Sequence, residues 1–247
     1  MRGLRRLFGA PVFLLVAAAL WALAASSGRA ADAPPEATPA LRVAIFGDSQ
    51  AQGIAGGLQR VLLGDPAFRI LNRTHPGASL IHAQSEWLGP VEHFVGHDQA
   101  DVAIVMFGAN DRLDMRDEKG AYLHFRTDAW RDAYAAKADQ VLTLLKDANL
   151  KIIWCGNPIA RSPTYSADMS YINDIYEQEV AKFGGTFFPL WSVIVDNNGQ
   201  FAAYGKDRNG TTERLRGDDG IHFTAAGYEV IAEKLIAILP QMQAKAQ

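Results

Sequence analysis

Apolar residues fall along this chain in two alternating rhythms. Short, largely apolar runs occur at 43–46, 68–72, 101–107, 151–155 and 186–190. Between them, apolar residues recur every three or four positions: Ile54, Leu58, Val61 and Leu62; then Trp130, Tyr134, Ala138, Val141 and Leu145; then Ile172, Tyr176, Val180 and Phe183; then Tyr228, Ile231, Leu235 and Leu239. The first rhythm predicts strands and the second amphipathic helices. Two short helical pieces interrupted at Gly89-Pro90 are expected over 80–96. Thr127 or Asp128, Asp168 and Thr224 are the expected helix caps. A small β excursion is expected over 193–204, and charged or polar loops over 112–126 and 206–218. Strands alternating with helices predict a doubly wound five-stranded parallel sheet in one domain, residues 41–242. Such sheets bind ligands beyond the carboxyl ends of their strands. The loops carrying Ser49, Gly77, Asn110 and Asn157 each follow a predicted strand. With the last loop, which carries Asp219 and His222, five loops are expected to meet on one edge.

The first thirty residues stand outside that pattern. Arg2, Arg5 and Arg6 precede an apolar stretch, 7–25, and small residues follow it. This is the layout of a secretory signal; the stretch is also nearly long enough to remain as a membrane anchor. The pair Arg5-Arg6 hints at twin-arginine export. Residues 1–30 are therefore read as a signal peptide or uncleaved anchor, 31–40 as an Ala- and Pro-rich linker, and the protein as exported, to the periplasm or facing it. Removing the leader leaves 20 bases against 27 acids, a net charge of −7. That balance excludes nucleic acid as an expected partner. The one cysteine, Cys155, ends an apolar run and is read as a buried, inert thiol.

Chemistry concentrates at the loop ends. The first run stops at Gly47-Asp48-Ser49. A serine hydroxyl needs a base to take its proton and a third group to orient that base. His222 is the expected base. Asp219, three residues earlier in a turn before a helix, is the expected orienter, with Asp218 as the alternative. An oxyanion formed at Ser49 needs donors. The Ser49 N–H at a helix start, the Gly77 N–H and the Asn110 amide are the candidates.

Gly47-Asp48-Ser49, Gly77, Gly108-Ala109-Asn110-Asp111 and Asp219-Gly220-Ile221-His222-Phe223, in this order and spacing, resemble the SGNH (GDSL) hydrolase family across residues 42–238. The resemblance implies a flavodoxin-like three-layer α/β/α sandwich. It implies Ser49 as nucleophile, His222 as base and Asp219 as orienter, with Ser49, Gly77 and Asn110 forming the oxyanion hole. It implies no metal and no organic cofactor. Two departures stand out: Gln50 replaces the leucine of the first block, and the second block lacks the asparagine two residues before Gly77. The ending from Arg216 to Phe223 resembles that of an exported bacterial branch of the family.

Other classes fit less well. His93 and His97 share a helical spacing, but no glutamate lies between them and no third metal ligand is evident. The first strand–helix turn has no Gly-x-Gly-x-x-Gly, and the Gly-x-Ser-x-Gly elbow is absent. The expected activity is ester hydrolysis of carboxylesterase or acetylesterase type, through an acyl-enzyme. The expected substrate is an extracytoplasmic small-molecule or glycan ester, such as an O-acetylated cell-wall or surface polysaccharide. Transfer of the acyl group to a sugar by the same triad is one alternative; a non-catalytic binding protein is the other. Arg112, Arg161 and Arg216 are candidate grips for an anionic substrate.

Overall fold

The computed structural model describes residues 39–117 and 119–240. The expected leader and nearly all of the linker lie outside them. Among the described residues no helix is long and apolar enough to cross a membrane.

Five parallel strands form the centre: β1 (Leu41–Gly47), β2 (Phe68–Thr74), β3 (Val102–Met106), β6 (Lys151–Cys155) and β7 (Thr186–Phe188). Their spatial order is β2-β1-β3-β6-β7. Helices α1 (Ser49–Val61), α3 (Gly89–His97), α4 (Asp128–Asp147), α5 (Pro163–Lys182) and α6 (Ala225–Ile236) pack around the sheet; a single turn, α2 (Gln84–Trp87), precedes α3. Two antiparallel hairpins complete the chain: β4 (Met115–Arg116) with β5 (Tyr122–Leu123), and β8 (Tyr204–Lys206) with β9 (Thr212–Arg214).

Successive side chains of a strand point to opposite faces, and the core divides accordingly. Ala44, Phe46, Ala103, Val105 and Trp154 join the stripes of α3, α4 and α5. Val43, Ile45, Ile104, Met106, Ile153 and Cys155 join those of α1 and α6. The three layers follow from that division. Trp130, Tyr134, Ala138, Val141 and Leu145 are all fully buried, so the α4 stripe lies as its periodicity predicts. Burying each of the larger side chains contributes roughly 2–3 kcal/mol. Cys155 is also fully buried, and burial pushes its thiol pKa upward.

Two local expectations are corrected. Asp168 does not cap α5. The cap lies six residues earlier, at Ser162, which accepts the Tyr165 N–H, with Pro163 in the first turn, where proline's missing N–H costs nothing. Asp168 instead lies buried within the helix and takes Arg112 and Arg126, each at 3.2 Å. The region 206–218 is not simply a loop, because it carries the end of β8 and all of β9, paired as a hairpin. Thr127 and Thr224 do cap α4 and α6, accepting from Trp130 and Gly227.

Candidate active site

The strand order reverses between β1, which leads outward to β2, and β3, which leads outward to β6 and β7. A crevice opens beyond the strand ends at such a point, and the loops after β1 and β3 flank it. Gly47 ends β1 at φ +134°. A Cβ there would lie 1.8 Å from the Met106 carbonyl oxygen of β3. The two strand ends thus touch through a glycine, and the Asp48 N–H donates across to Met106 O at 3.1 Å. The chain then turns directly into α1. Asp48 is the helix cap, its Oδ1 accepting the Gln50 N–H at 2.8 Å. Ser49 is the first helical residue, where backbone N–H groups have no intrahelical acceptor.

Ser49 Oγ lies 2.7 Å from His222 Nε2, and His222 Nδ1 lies 2.6 Å from Asp219 Oδ2. The three side chains come from opposite ends of the chain and form one hydrogen-bonded line. Asp219 Oδ1 also accepts the N–H groups of Ile221 (2.8 Å) and His222 (3.0 Å). Burial disfavours its carboxylate. The bonds from the Ile221 N–H and from the ring and N–H of His222 outweigh that and hold its pKa below the ordinary value. Asp219 therefore stays an anion against the ring at neutral pH. Asp218, the alternative orienter, points into solvent and pairs with Arg214.

The loop carrying Gly77 is stitched to both neighbours. His75 N–H donates to Gly47 O at 2.9 Å, and the Asn110 amide donates to Ala78 O at 3.0 Å. Gly77 itself adopts φ +83° in the His75–Ala78 turn, and its N–H has no acceptor among the described residues. An amide NH2 has two protons, so the bond to Ala78 orients Asn110 and leaves its second proton for a ligand.

Beneath these loops lies a buried polar layer. Asp111 Oδ2 accepts the Tyr134 hydroxyl at 2.5 Å and the Leu80 N–H at 3.3 Å, and the Tyr134 and Tyr176 hydroxyls are 2.5 Å apart. Asn157 Nδ2 donates to Phe107 O at 3.0 Å. Asp48 is fully buried beside Asp111; burial first, with that second carboxyl adding to it, pushes its pKa up to about 7. Burial likewise raises Asp111. Neither acid is hydrogen-bonded to His222; Asp48 accepts from Gln50 and Asp111 from Leu80, so both brace the loops.

The three arginines fare differently. Arg112 is half exposed, bonded to Asp168 and 5.0 Å from the Tyr165 ring centre; Tyr165 in turn donates to Ala109 O at 2.8 Å. Arg161 braces the triad turn, with its N–H on Gly220 O (2.9 Å) and its guanidinium on Asp218 O (2.8 Å). Arg216 corrects the expectation made for it. It has no exposed surface, so its guanidinium is not available to grip a substrate; it is spent on the backbone of the His222 loop. Gln50 was visible in the sequence only as a departure from a motif, and it contacts the same loop. His93 and His97 stack ring on ring at 4.4 Å, with His97 Nδ1 on His93 O.

The sheet order, with helices on both faces, is the fold of solved structures described as GDSL-like lipases and esterases. Solved structures share it at low sequence identity. A member of the lipolytic protein G-D-S-L family from Veillonella parvula aligns with a TM-score of 0.57 at 13% identity, over 82% of this chain and 100% of that one. A GDSL-like lipase from Bacteroides thetaiotaomicron aligns at 0.53 and 15%, over 81% and 88%. A catalytic mutant of Axe2, an acetylxylan esterase from Geobacillus stearothermophilus, aligns at 0.51 and 15%, over 81% and 94%. Within that fold the chain belongs to the family described as "Protein of unknown function (DUF459)", whose model matches residues 42–237. No curated protein sequence matches it.

Proposed function

We propose that this protein is a serine ester hydrolase that works through an acyl-enzyme on Ser49. The observation that carries the proposal is the unbroken line Ser49 Oγ–His222 Nε2–Asp219 at 2.7 and 2.6 Å. An ester carbonyl carbon is attacked by Ser49 Oγ while His222 Nε2 takes the hydroxyl proton. Asp219 holds the ring in the tautomer that leaves Nε2 free to accept, and its negative charge stabilises the imidazolium that forms. Negative charge then develops on the former carbonyl oxygen. The Ser49 N–H, the Gly77 N–H and the second Asn110 amide proton are the donors for it, each worth on the order of 3 kcal/mol of barrier. Collapse of the tetrahedral intermediate breaks the ester C–O bond, and His222 passes its proton to the departing alcohol. Water, activated by the same histidine, cleaves the acyl-serine and restores the hydroxyl.

An acetyl ester on a saccharide is the substrate class we favour. The leader-like first thirty residues direct the enzyme toward extracytoplasmic glycans, and one protein of the same fold is described as an acetylxylan esterase. Arg112 and Arg161, which keep exposed surface near the cleft, are the basic groups for the substrate's polar parts. Incubation with an O-acetylated glycan should release free acetate in proportion to enzyme. Acetyl transfer to an added sugar without acetate release would replace hydrolysis by transfer, and inertness toward both activated and glycan esters would defeat the proposal.

A further inference from the structure

Gln50 follows the nucleophile directly and is 1% exposed. Its Nε2 donates to the carbonyl oxygen of Ile221, the residue before His222, at 3.0 Å. The carbonyl can only accept, so it fixes which end of the amide faces it, and Gln50 Oε1 at the other end accepts the Tyr228 hydroxyl at 2.9 Å. Tyr228 can lie against α1 because Gly53, one turn further on, has no side chain; a Cβ there would fall 1.9 Å from the Tyr228 ring. The same Ile221 oxygen receives a second bond, from Arg216 Nη2 at 3.0 Å. Arg216 is held between the rings of Phe201 and Phe223, its guanidinium carbon 4.7 and 4.3 Å from their centres. Its Nε leans on His222 O at 3.5 Å.

A carbonyl oxygen has two lone pairs, and here both are taken by buried side chains. Burying an amide and a guanidinium is costly unless their hydrogen bonds are made; Gln50 is bonded at both ends of its amide, whereas Arg216 bonds through Nη2 and Nε and leaves Nη1 without a partner among the described residues. A packing role alone would be served by an apolar side chain at position 50. The connectivity supplies a reason for the polar ones. The Ser49–His222 contact and the Gln50–Ile221 contact join adjacent residues on each side, closing a short ring of backbone and hydrogen bonds around the nucleophile and base.

We infer that Gln50 and Arg216 are positioning residues, which hold His222 at hydrogen-bonding distance from Ser49 by gripping the Ile221 carbonyl from two sides. The inference rests on the hydrolase reading for its kinetic consequence but not for its geometry. It is tested with Gln50→Leu, which keeps bulk and removes both amide groups, and with Tyr228→Phe, which keeps the amide and removes the hydroxyl that anchors its far end. Turnover of an activated acetyl ester is counted per site that reacts with a fluorophosphonate, so unfolded molecules do not enter. Gln50→Leu should lower kcat per site on the order of 10- to 100-fold, the scale set by small misplacements of reacting groups. KM should stay within about twofold, since the substrate contacts are untouched. Tyr228→Phe should fall in the same direction by less. The His222 ring resonances in nuclear magnetic resonance spectra should shift and broaden in Gln50→Leu.

Unchanged turnover per site with unchanged His222 resonances would overturn the inference. So would a drop in melting temperature and in the number of reactive sites with turnover per site preserved, since that is a purely structural role. If the wild-type protein hydrolyses no ester, the hydrolase reading falls by itself. The ring resonances then decide the positioning claim: displaced signals uphold it and identical spectra overturn it.

Discussion

Replacing Ser49 or His222 by alanine should each lower kcat against an activated acetyl ester on the order of 10^5-fold, and the double variant should be little slower than either. Five decades correspond to about 7 kcal/mol of barrier. The size follows from the 2.7 Å contact between the two side chains. Without His222 the hydroxyl keeps its proton and is a weak nucleophile. Without Ser49 the base has no nucleophile to deprotonate. Each substitution therefore disables the same step, and their effects cannot add. The residual rate should come from the oxyanion donors, which neither substitution removes. Losses that multiply instead would mean that the two residues serve separate steps. The check is steady-state kinetics on the four proteins of the cycle, with circular dichroism to show that all are folded.

Gly47→Ala should cost at least about 3 kcal/mol of stability, because it combines a strained backbone with a clash that cannot relax. For a domain of this size that is a fall of roughly 10 °C in melting temperature. At φ +134° a side chain is disfavoured wherever it stands. Here its Cβ would also meet a backbone oxygen, Met106 O, at 1.8 Å. A flexible side chain could swing away, but the obstacle is the backbone of Met106, the last residue of the central strand β3, which pairs with β1 on one side and β6 on the other. The strands must part, and the Asp48 N–H bond to Met106 O goes with them. Thermal unfolding of the variant, with any surviving ester turnover, tests this; a melting temperature within about 2 °C of wild type would contradict it.

The layers and the candidate triad were legible for different reasons. Buried parallel strands are apolar on both faces, so 102–106 and 151–155 announce themselves, and the α4 stripe from Trp130 to Leu145 keeps its period over its whole length. Ser49, Asn110, Asp219 and His222 were legible because each follows an element that ends abruptly and each brings a functional group that loop chemistry needs. The start of α5 was misread although Ser162-Pro163 is itself a cap signal. The acid at Asp168 looked like a cap, and only tertiary structure brings Arg112 and Arg126 to it. Arg216 was misread for a related reason. In a run of charges an arginine reads as solvated, and its burial depends on Phe201 and Phe223, one of them fifteen residues away along the chain. Gln50 was visible only as an oddity. Its partner Ile221 lies 171 residues distant, and no local pattern encodes a hydrogen bond across that separation.

The central claim is that Ser49 is a nucleophile made reactive by His222 and Asp219. A fluorophosphonate probe tests it most directly, because the probe forms a covalent bond only with an activated hydroxyl. Peptide mapping by mass spectrometry of the labelled, folded protein should find the adduct on Ser49, and His222→Ala should abolish it. An adduct on another serine, or a folded protein that takes no label, would contradict the account.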